Sequence, residues 1–243
     1  MSLDKLKEMI NNSNYLVAFT GAGISAESGI PTYRGDDGVW HKYDPDKFAN
    51  INYFLKDPSY YWNFFKDVRY PVLKKAKPNK AHIVLAQLED KGILKSVITQ
   101  NIDGLHQMAG SKNVFELHGN TRRFYCMKCQ KKYSLEDVSK KVEAEEIPPK
   151  CTCGGYIRPD VVLFGEALPA DVLEKAREES MKADVFLVIG SSLVVQPAAS
   201  LPVIAKQNGA KLIIINKDPT PLDSMADLLF HQKATEVLGA LEI

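Results

Sequence analysis

A short apolar segment that leads into a glycine loop constrains the fold of this chain more than any other feature. Residues 15–19 read Tyr-Leu-Val-Ala-Phe, and after Thr20 the chain continues as Gly21-Ala22-Gly23-Ile24-Ser25-Ala26, which fits the pattern G-x-G-x-x-G/A. Such glycines let the backbone turn tightly after a strand and approach a pyrophosphate, whose charge is stabilised by amide N–H groups at a helix N-terminus. The loop therefore predicts a parallel sheet with a phosphate-binding site.

The rest of the chain continues this alternation of apolar strands with helices. A helix is predicted after Pro78, where apolar residues recur at helical spacing until Gly92 ends the pattern. This order predicts an α/β fold, a Rossmann-like parallel sheet covered by helices on both faces, which binds ligands beyond the carboxyl ends of its strands. Further strands are predicted at residues 96–99, 114–117, 184–189, 211–215 and 228–230, and further helices at residues 198–208 and at the C-terminus.

Two segments interrupt the alternation and predict a second, smaller domain. Residues 36–77 are rich in aromatic residues, and residues 122–157 hold all four cysteines of the chain. We expect these two insertions to pack together. The predicted division is a discontinuous Rossmann-like dinucleotide-binding domain of residues 1–35, 78–121 and 158–243, and a small helical and zinc-binding domain of residues 36–77 and 122–157.

The cysteines form two close pairs, Cys126 with Cys129 and Cys151 with Cys153. Two such pairs at this separation are typical of a tetrahedral zinc site, and a reducing cytosol would not keep them as disulfides. Four thiolates saturate the metal and leave no position for an activated water, so the zinc is expected to be structural. The negative charge of the cluster would be offset by nearby lysines, which are Lys128, Lys131, Lys132 and Lys150.

The residues after the glycine loop do not fit a dehydrogenase. Gly29 and Pro31 end the predicted helix early, after about two turns. No apolar strand ending in an acidic residue follows about 20 residues later, where the residue that binds the ribose 2′-hydroxyl belongs. Asp44 and Asp46 lie near that distance, but in a segment unlike a parallel strand. The dinucleotide is therefore predicted to bind in an arrangement other than that of hydride transfer.

Two groups of polar residues follow predicted strands. Asn101 and Asp103 come after the strand at residues 96–99, where they would offer hydrogen bonds to a carboxamide. The alternative is an Asx-type cap that starts the next helix. His118 follows the strand at residues 114–117. A single histidine is more often structural, but this position faces the ligand side of the sheet, and a neutral imidazole is suited to taking a proton from a hydroxyl.

The charge balance excludes several classes of partner. The chain has 31 Lys and Arg against 30 Asp and Glu, a net charge of +1, so a polycation that binds nucleic acid is not expected. The first residues lack the apolar run of a secretory signal, and the longest apolar segments have the length of strands. We therefore expect a cytoplasmic protein with no direct nucleic-acid binding and no membrane contact.

Almost the whole chain resembles the sirtuin family, the NAD-dependent protein-lysine deacetylases. The resemblance rests on the cysteine pairs and on GAGISAESGIPTYRG at residues 21–35, TQNIDGLH at 99–106, LHG at 117–119, RPDVVLFGE at 158–166 and GSSLVVQPA at 190–198. Few other families would give even three of these segments in this order. The resemblance implies NAD as co-substrate, one structural Zn²⁺ and a protein or peptide containing acetyl-lysine as substrate.

The resemblance also implies roles for individual residues. His118 would be the catalytic base. The substrate peptide would pair with a strand of this chain that contains Val161, Leu163, Phe164, Gly165 and Glu166. Contacts with NAD are implied for Gly21, Ala22, Gly23, Ala26, Glu27, Tyr33, Arg34, Gln100, Asn101, Ile102, Asp103, Gly190, Ser191, Ser192, Asn216, Lys217 and Asp218.

In the implied reaction nicotinamide leaves the ribose, the amide oxygen of acetyl-lysine attacks the ribose carbon, and His118 takes a proton from a ribose hydroxyl. A branch of the family that removes succinyl and malonyl groups carries a Tyr-x-x-Arg pair. Here Phe65 and Val68 stand at those places, and Arg69, one residue later, would point about 100° away around a helix. Acetyl and longer apolar acyl groups are therefore predicted over acidic ones. A nicotinamide dehydrogenase and a zinc-ribbon nucleic-acid adaptor are the alternatives.

Overall fold

A six-stranded parallel sheet forms the centre of the larger part of the fold. The structure is a computed structural model that describes residues 2–32 and 38–241. Its strands are β1 (Leu16–Thr20), β2 (Leu94–Thr99), β3 (Val114–Glu116), β4 (Gly119–Cys126), β5 (Lys132–Ser134), β6 (Ile157–Val161), β7 (Val185–Ile189), β8 (Lys211–Ile215) and β9 (Leu228–Phe230). The large sheet has the order β3-β2-β1-β7-β8-β9, and all its neighbouring strands are parallel.

Helices cover both faces of this sheet. The helices are α1 (Ser2–Asn11), α2 (Pro45–Phe48), α3 (Ile51–Lys56), α4 (Ser59–Phe64), α5 (Tyr70–Lys75), α6 (Lys80–Asp90), α7 (Leu105–Ala109), α8 (Leu135–Glu143), α9 (Ala170–Lys182), α10 (Leu201–Gln207) and α11 (Ala234–Gly239). Side chains of α1, α6 and α11 pack with Leu187 on one face, and those of α9 and α10 pack with Phe186 on the other. β1 and β7 are therefore buried along their whole length.

The predicted α/β class, with a parallel sheet between two layers of helices, is confirmed. The helix predicted after the glycine loop is tighter than expected, because Ala22–Ser28 form a 3-10 helix rather than an α-helix. It ends at Gly29, whose φ of 82° lies in the left-handed region that favours glycine. No helix within the described ranges has both the length and the apolar character needed to cross a membrane.

A second, antiparallel sheet has the strand order β5-β4-β6. Its core joins the two insertions, because Trp62 and Phe65 of the aromatic segment pack on Phe124 of β4 with ring centroids 5.9 and 5.7 Å away. β4 and β6 both extend across the predicted domain boundaries at residues 121/122 and 157/158. The division of the chain into two domains stays a prediction.

Two histidines are buried next to each other between α6 and α7. His82 and His106 are 0% and 1% exposed, and their ring centroids are 5.0 Å apart. His106 Nε2 lies 2.9 Å from Thr20 Oγ1, and His82 Nδ1 lies 3.1 Å from Asn79 Oδ1. Burial lowers the pKa of His82 to about 4; burial, and then the neighbouring His82, lower the pKa of His106 to about 3. Both rings are therefore neutral in the folded chain near pH 7.

This pair predicts a loss of stability in mild acid. The unfolded chain protonates both imidazoles near their ordinary pKa of about 6.5, whereas the folded chain excludes these protons until well below pH 5. The free energy of unfolding should therefore fall as the pH drops from 6.5 towards 4. His106→Gln should reduce this slope by about one proton, or ~1.4 kcal/mol per pH unit.

Urea unfolding at pH 7.0, 5.5 and 4.5 measures this slope. His231→Gln, which removes an exposed imidazole, is the matched control. An equal slope for the wild type and His106→Gln would contradict the assignment of acid sensitivity to the buried pair.

Candidate active site

A cavity of about 750 Å³ lies at the carboxyl ends of the parallel strands. Its residues follow β1, β2, β7 and β8, and the segment after β6 contributes another wall. This edge is where open parallel sheets bind ligands. The cavity is lined by the predicted residues Gly21, Ala22, Gly23, Ala26, Glu27, Gln100, Asn101, Ile102, His118, Val161, Leu163, Phe164, Gly165, Glu166, Gly190, Ser191, Ser192, Asn216, Lys217 and Asp218. The predicted contacts Tyr33 and Arg34 lie outside the described residues.

Two backbone loops pack directly against each other at one wall of the cavity. A Cβ atom at Gly21 would lie 2.7 Å from the carbonyl oxygen of Gly190, and one at Gly23 would lie 2.7 Å from Gly190 Cα. The N–H groups of Gly21 and Gly23 donate to the carbonyl oxygens of Ile189 and Gly190, at 3.0 and 2.8 Å. Glycine is therefore required here by contact between the loops, and these two N–H groups are used within the protein.

His118 is half-buried and lines the cavity two residues after β3. Its Nδ1 lies 2.8 Å from the carbonyl oxygen of Gln100. Because a carbonyl only accepts, Nδ1 carries the proton, and the neutral ring keeps its lone pair on Nε2. Gln100 is itself fixed: its backbone N–H donates to Thr20 O at 2.9 Å, and its Nε2 donates to Ser191 Oγ at 2.8 Å. The turn after β2 thus orients the predicted base.

Asn101 and Asp103 are both buried, but their hydrogen bonds differ. Asn101 Nδ2 donates to Gly21 O at 3.0 Å and to Ser25 Oγ at 3.2 Å. Asp103 accepts the N–H of Leu105 at 2.8 Å and the hydroxyl of Ser25 at 2.7 Å. The bond to Leu105 is an Asx turn that leads into α7, close to the cap considered as the alternative, although the N-cap residue of α7 is Gly104. Burial raises the pKa of Asp103, which lines a smaller cavity rather than the large one.

The smaller cavity, of about 50 Å³, shares four residues with the large one: Ala22, Arg69, Asn101 and Ile102. The presence of Arg69 contradicts the predicted orientation. Phe65–Arg69 form a π-helix, in which each residue turns by less than the 100° of an α-helix, so the extra residue is absorbed. The guanidinium Cζ of Arg69 packs 5.2 Å from the ring centroid of Phe64. The preference for acetyl over acidic acyl groups loses this support and stays a prediction.

The segment after β6 is only partly a strand. Within the predicted substrate-binding residues, β6 includes Val161 alone; Phe164 forms an isolated parallel bridge with Asn50, and a turn follows at Gly165. The expected strand therefore ends earlier than predicted. Phe164 is tied to the helical insertion, because its N–H donates to Ala49 O at 2.8 Å.

An ion pair between the buried Arg158 and the partly exposed Glu166 links the two ends of this segment. The Glu166 carboxylate accepts two N–H groups of Arg158, at 2.9 and 2.8 Å, and the backbone N–H of Leu163 at 2.8 Å. The Arg158 side chain is 8% exposed, and its Nη2 also donates to Val161 O. Hydrogen bonds from Arg158 and Leu163 lower the pKa of Glu166 despite its partial burial. The pair fixes the backbone on both sides of Phe164.

The four cysteines converge on one point. All four Sγ atoms lie within 4.8 Å of one another, with Cys126 to Cys153 at 3.4 Å and Cys129 to Cys151 at 3.6 Å. Zn–S bonds of about 2.3 Å place the sulfurs of a tetrahedron ~3.8 Å apart, so the donor set fits Zn²⁺. The backbone N–H groups of Lys128 and Cys129 point at Cys126 Sγ, at 3.4 and 3.5 Å. The sequence therefore identified a group of side chains that can hold a metal.

Sequence reasoning missed several cavity residues. Gln232, Lys233 and Ala234 follow β9 as Asn216 follows β8, so the strand-end rule applied to the last strand would have found them. Lys233 Nζ pairs with Glu27 Oε1 at 2.9 Å. Ile215 lies at the end of β8, so the same rule would have found it too. Thr32, Val162, Val195 and Gln196 lie in the segments that carry the family resemblance. The remaining cavity residues carry no such signal: Trp40, Ala49, Arg69 and Leu168.

Comparison with known proteins finds relatives over nearly the whole chain. Residues 21–197 match the model of the Sir2 family. A relative from Sulfurisphaera tokodaii, named NAD-dependent protein deacetylase, is 51% identical over 98% of this chain and 94% of its own. A relative from Archaeoglobus fulgidus, named NAD-dependent protein deacylase 1, is 50% identical over 98% of this chain and 96% of its own.

Similar solved structures indicate the same family as these sequence relatives. One described as "Sir2-p53 peptide-NAD+" has a TM-score of 0.90 and 46% sequence identity, and the match covers 98% of this chain and 96% of that chain. Another, "Sir2 bound to acetylated peptide", has a TM-score of 0.89 and 44% identity over the same shares of both chains. Because sequence and fold agree over almost the whole length, this chain belongs to the Sir2 family.

Proposed function

We propose that this chain is an NAD-dependent protein-lysine deacetylase, which transfers the acetyl group of acetyl-lysine to ADP-ribose and releases nicotinamide and the free lysine. The observation that carries the proposal is the cavity at the strand ends, in which Gln100 holds His118 with Nε2 as its basic atom. The names of the family relatives support the same activity.

The strand-end side of the cavity is the proposed NAD site. The close contact of Gly21 and Gly23 with Gly190 brings the loops after β1 and β7 together where a pyrophosphate would lie. The turn after β8 would hold the adenosine ribose. The proposed NAD contacts on the large cavity are Gly21, Ala22, Gly23, Ala26, Glu27, Gln100, Asn101, Ile102, Gly190, Ser191, Ser192, Asn216, Lys217 and Asp218. Asp103 is the proposed contact on the smaller cavity, and Tyr33 and Arg34 are assigned by resemblance.

The smaller cavity is the proposed nicotinamide pocket. Because Asn101 Nδ2 is used by Gly21 and Ser25, its Oδ1 is left to accept an N–H of the carboxamide. Asp103 would be the second partner, held by Ser25 and Leu105. When nicotinamide leaves, NAD supplies a ribose carbon that the acetyl oxygen can attack. A buried pocket favours this step, because it holds the ring in one orientation and excludes water.

His118 is the proposed general base. Its Nδ1–H is held by the Gln100 carbonyl, so Nε2 accepts a proton from a ribose hydroxyl, and the same carbonyl stabilises the imidazolium that forms. The acetylated chain would lie along the wall after β6, near Val161, Leu163, Phe164 and Gly165. Glu166 is proposed to act through its ion pair with Arg158, which fixes that wall.

The four cysteines are proposed to hold one structural Zn²⁺, which would complete the core of the small sheet. A reducing compartment keeps the thiols available as ligands, so the cytoplasm is the proposed location. The net charge of +1 gives no reason to propose nucleic-acid binding.

The first test incubates the protein with NAD and an acetyl-lysine peptide and measures nicotinamide release. Release should depend on the peptide, and His118→Ala should lower the rate by at least about 100-fold, because the general base is lost. His41→Ala, at an exposed histidine, is the control. New absorbance from reduced NAD would instead indicate the alternative dehydrogenase.

The ion pair of Arg158 with Glu166 predicts that its loss weakens binding of the acetylated peptide but not of NAD. Glu166→Gln removes the charge partner of the buried Arg158, so the wall after β6 should shift. We expect KM for the acetylated peptide to rise by about tenfold while KM for NAD stays the same. Steady-state kinetics with each substrate varied in turn measures both constants. Equal increases in both constants would contradict the proposed role.

The cysteine site predicts an effect on stability. Cys126→Ala should release most of the zinc, measured by atomic absorption, and lower the melting temperature by about 10 °C. Residual activity should survive at temperatures where the variant remains folded, because the metal does no chemistry. Lys131→Ala, at an exposed neighbour of the cluster, should keep both zinc and stability. Loss of activity with an unchanged melting temperature would indicate a catalytic metal.

A further inference from the structure

A continuous row of aromatic rings runs from the cavity wall to the surface of the helical insertion. Successive ring centroids are 5.5 to 6.4 Å apart, a separation typical of favourable aromatic pairs. We call this set the aromatic row, which consists, in order, of Phe164, Trp40, Phe64, Phe48, Tyr60 and Tyr53.

Both ends of the aromatic row are open to solvent. Phe164 is 41% exposed at the cavity, and at the outer end Tyr60 and Tyr53 are 44% and 37% exposed. Phe64, in the middle, is 3% exposed and belongs to the packed interior. Core packing explains the middle of the row but not its outer end, where the exposed rings of Tyr53 and Tyr60 lie next to each other with centroids 6.3 Å apart. Adjacent exposed rings of this kind are a candidate contact for a partner side chain.

The aromatic row is fixed to the wall proposed to bind the substrate. The N–H of Ile51 donates to Phe164 O at 3.0 Å, and the N–H of Phe164 donates to Ala49 O. Ala49 and Asn50 connect α2, which carries Phe48, to α3, which begins at Ile51 and carries Tyr53. The packed rings and these hydrogen bonds therefore hold Tyr53 and Tyr60 in a fixed position relative to Phe164.

We propose that Tyr53 and Tyr60 bind an aromatic or large aliphatic side chain of the substrate protein, outside the residues next to the acetyl-lysine. This proposal rests on the proposed function. An extended chain rises about 3.3 Å per residue, so it covers the four ring-to-ring steps from Phe164 to Tyr60 within about seven residues. Tyrosines bind such side chains well, because they offer large rigid surfaces with few rotatable bonds.

The test uses acetyl-lysine peptides in which Trp replaces Ser at each position from the second to the seventh on either side of the lysine. We expect Trp at one or two adjacent positions to lower KM three- to tenfold, measured by nicotinamide release, with kcat unchanged. The double variant Tyr53→Ser/Tyr60→Ser should lose this advantage and keep the wild-type KM for the all-Ser peptide.

Leu55→Ser is the matched control. Leu55 is 59% exposed in α3 but lies about 200° around the helix from Tyr53, so this variant should retain the Trp advantage. The proposal is overturned if Trp lowers KM at no position, or if its advantage survives the double variant. A change in sedimentation coefficient between wild type and double variant would assign the surface to self-association and also overturn it. Failure of the proposed function would appear differently, as no nicotinamide release from the all-Ser peptide.

Discussion

The contact between the glycine loop after β1 and the turn after β7 sets the geometry of the whole site. No side chain separates Gly21 and Gly23 from Gly190, so the loops after β1 and β7 begin side by side. The sheet register also aligns the neighbouring strand ends, because Thr20 pairs with both Thr99 and Ile189, and Ile189 pairs with Ile215. Four strands therefore end on one line, and a larger residue in either loop would push the two central strands apart.

The turn after β2 positions the proposed base, His118, relative to these aligned strand ends. Gln100 bonds to β1 through Thr20 and to the loop after β7 through Ser191, and its carbonyl orients His118. Below it, the Thr20 hydroxyl donates to Thr99 Oγ1, which also accepts the N–H of Asn101. The base thus depends on a backbone carbonyl, which no substitution of the Gln100 side chain removes directly.

The sequence predicts best what depends on local pattern. Residues near each other in the chain predict the alternation of strands and helices, the cysteine pairs and the strand-end position of His118. The structure has the parallel sheet, brings the four cysteines together and places His118 in the lining of the cavity. The misses depend on hydrogen bonds formed only in the fold. The early end of β6 and the turn at Gly165 accompany the ion pair of Glu166 with Arg158, two residues that are eight positions apart in the chain. Sequence pattern alone does not indicate that the helix is wider at Phe65–Arg69.

That wider turn has a consequence for how the site can evolve. A π-helical turn holds about one more residue than an α-helical turn, and such turns are frequent at functional sites. Loss of one of residues 66–68 would return the segment to ordinary helical pitch and place the arginine three residues after Phe65, which is the spacing of the Tyr-x-x-Arg pair. Such a deletion would therefore keep a cationic side chain at the cavity, so two different backbone geometries can supply the same wall.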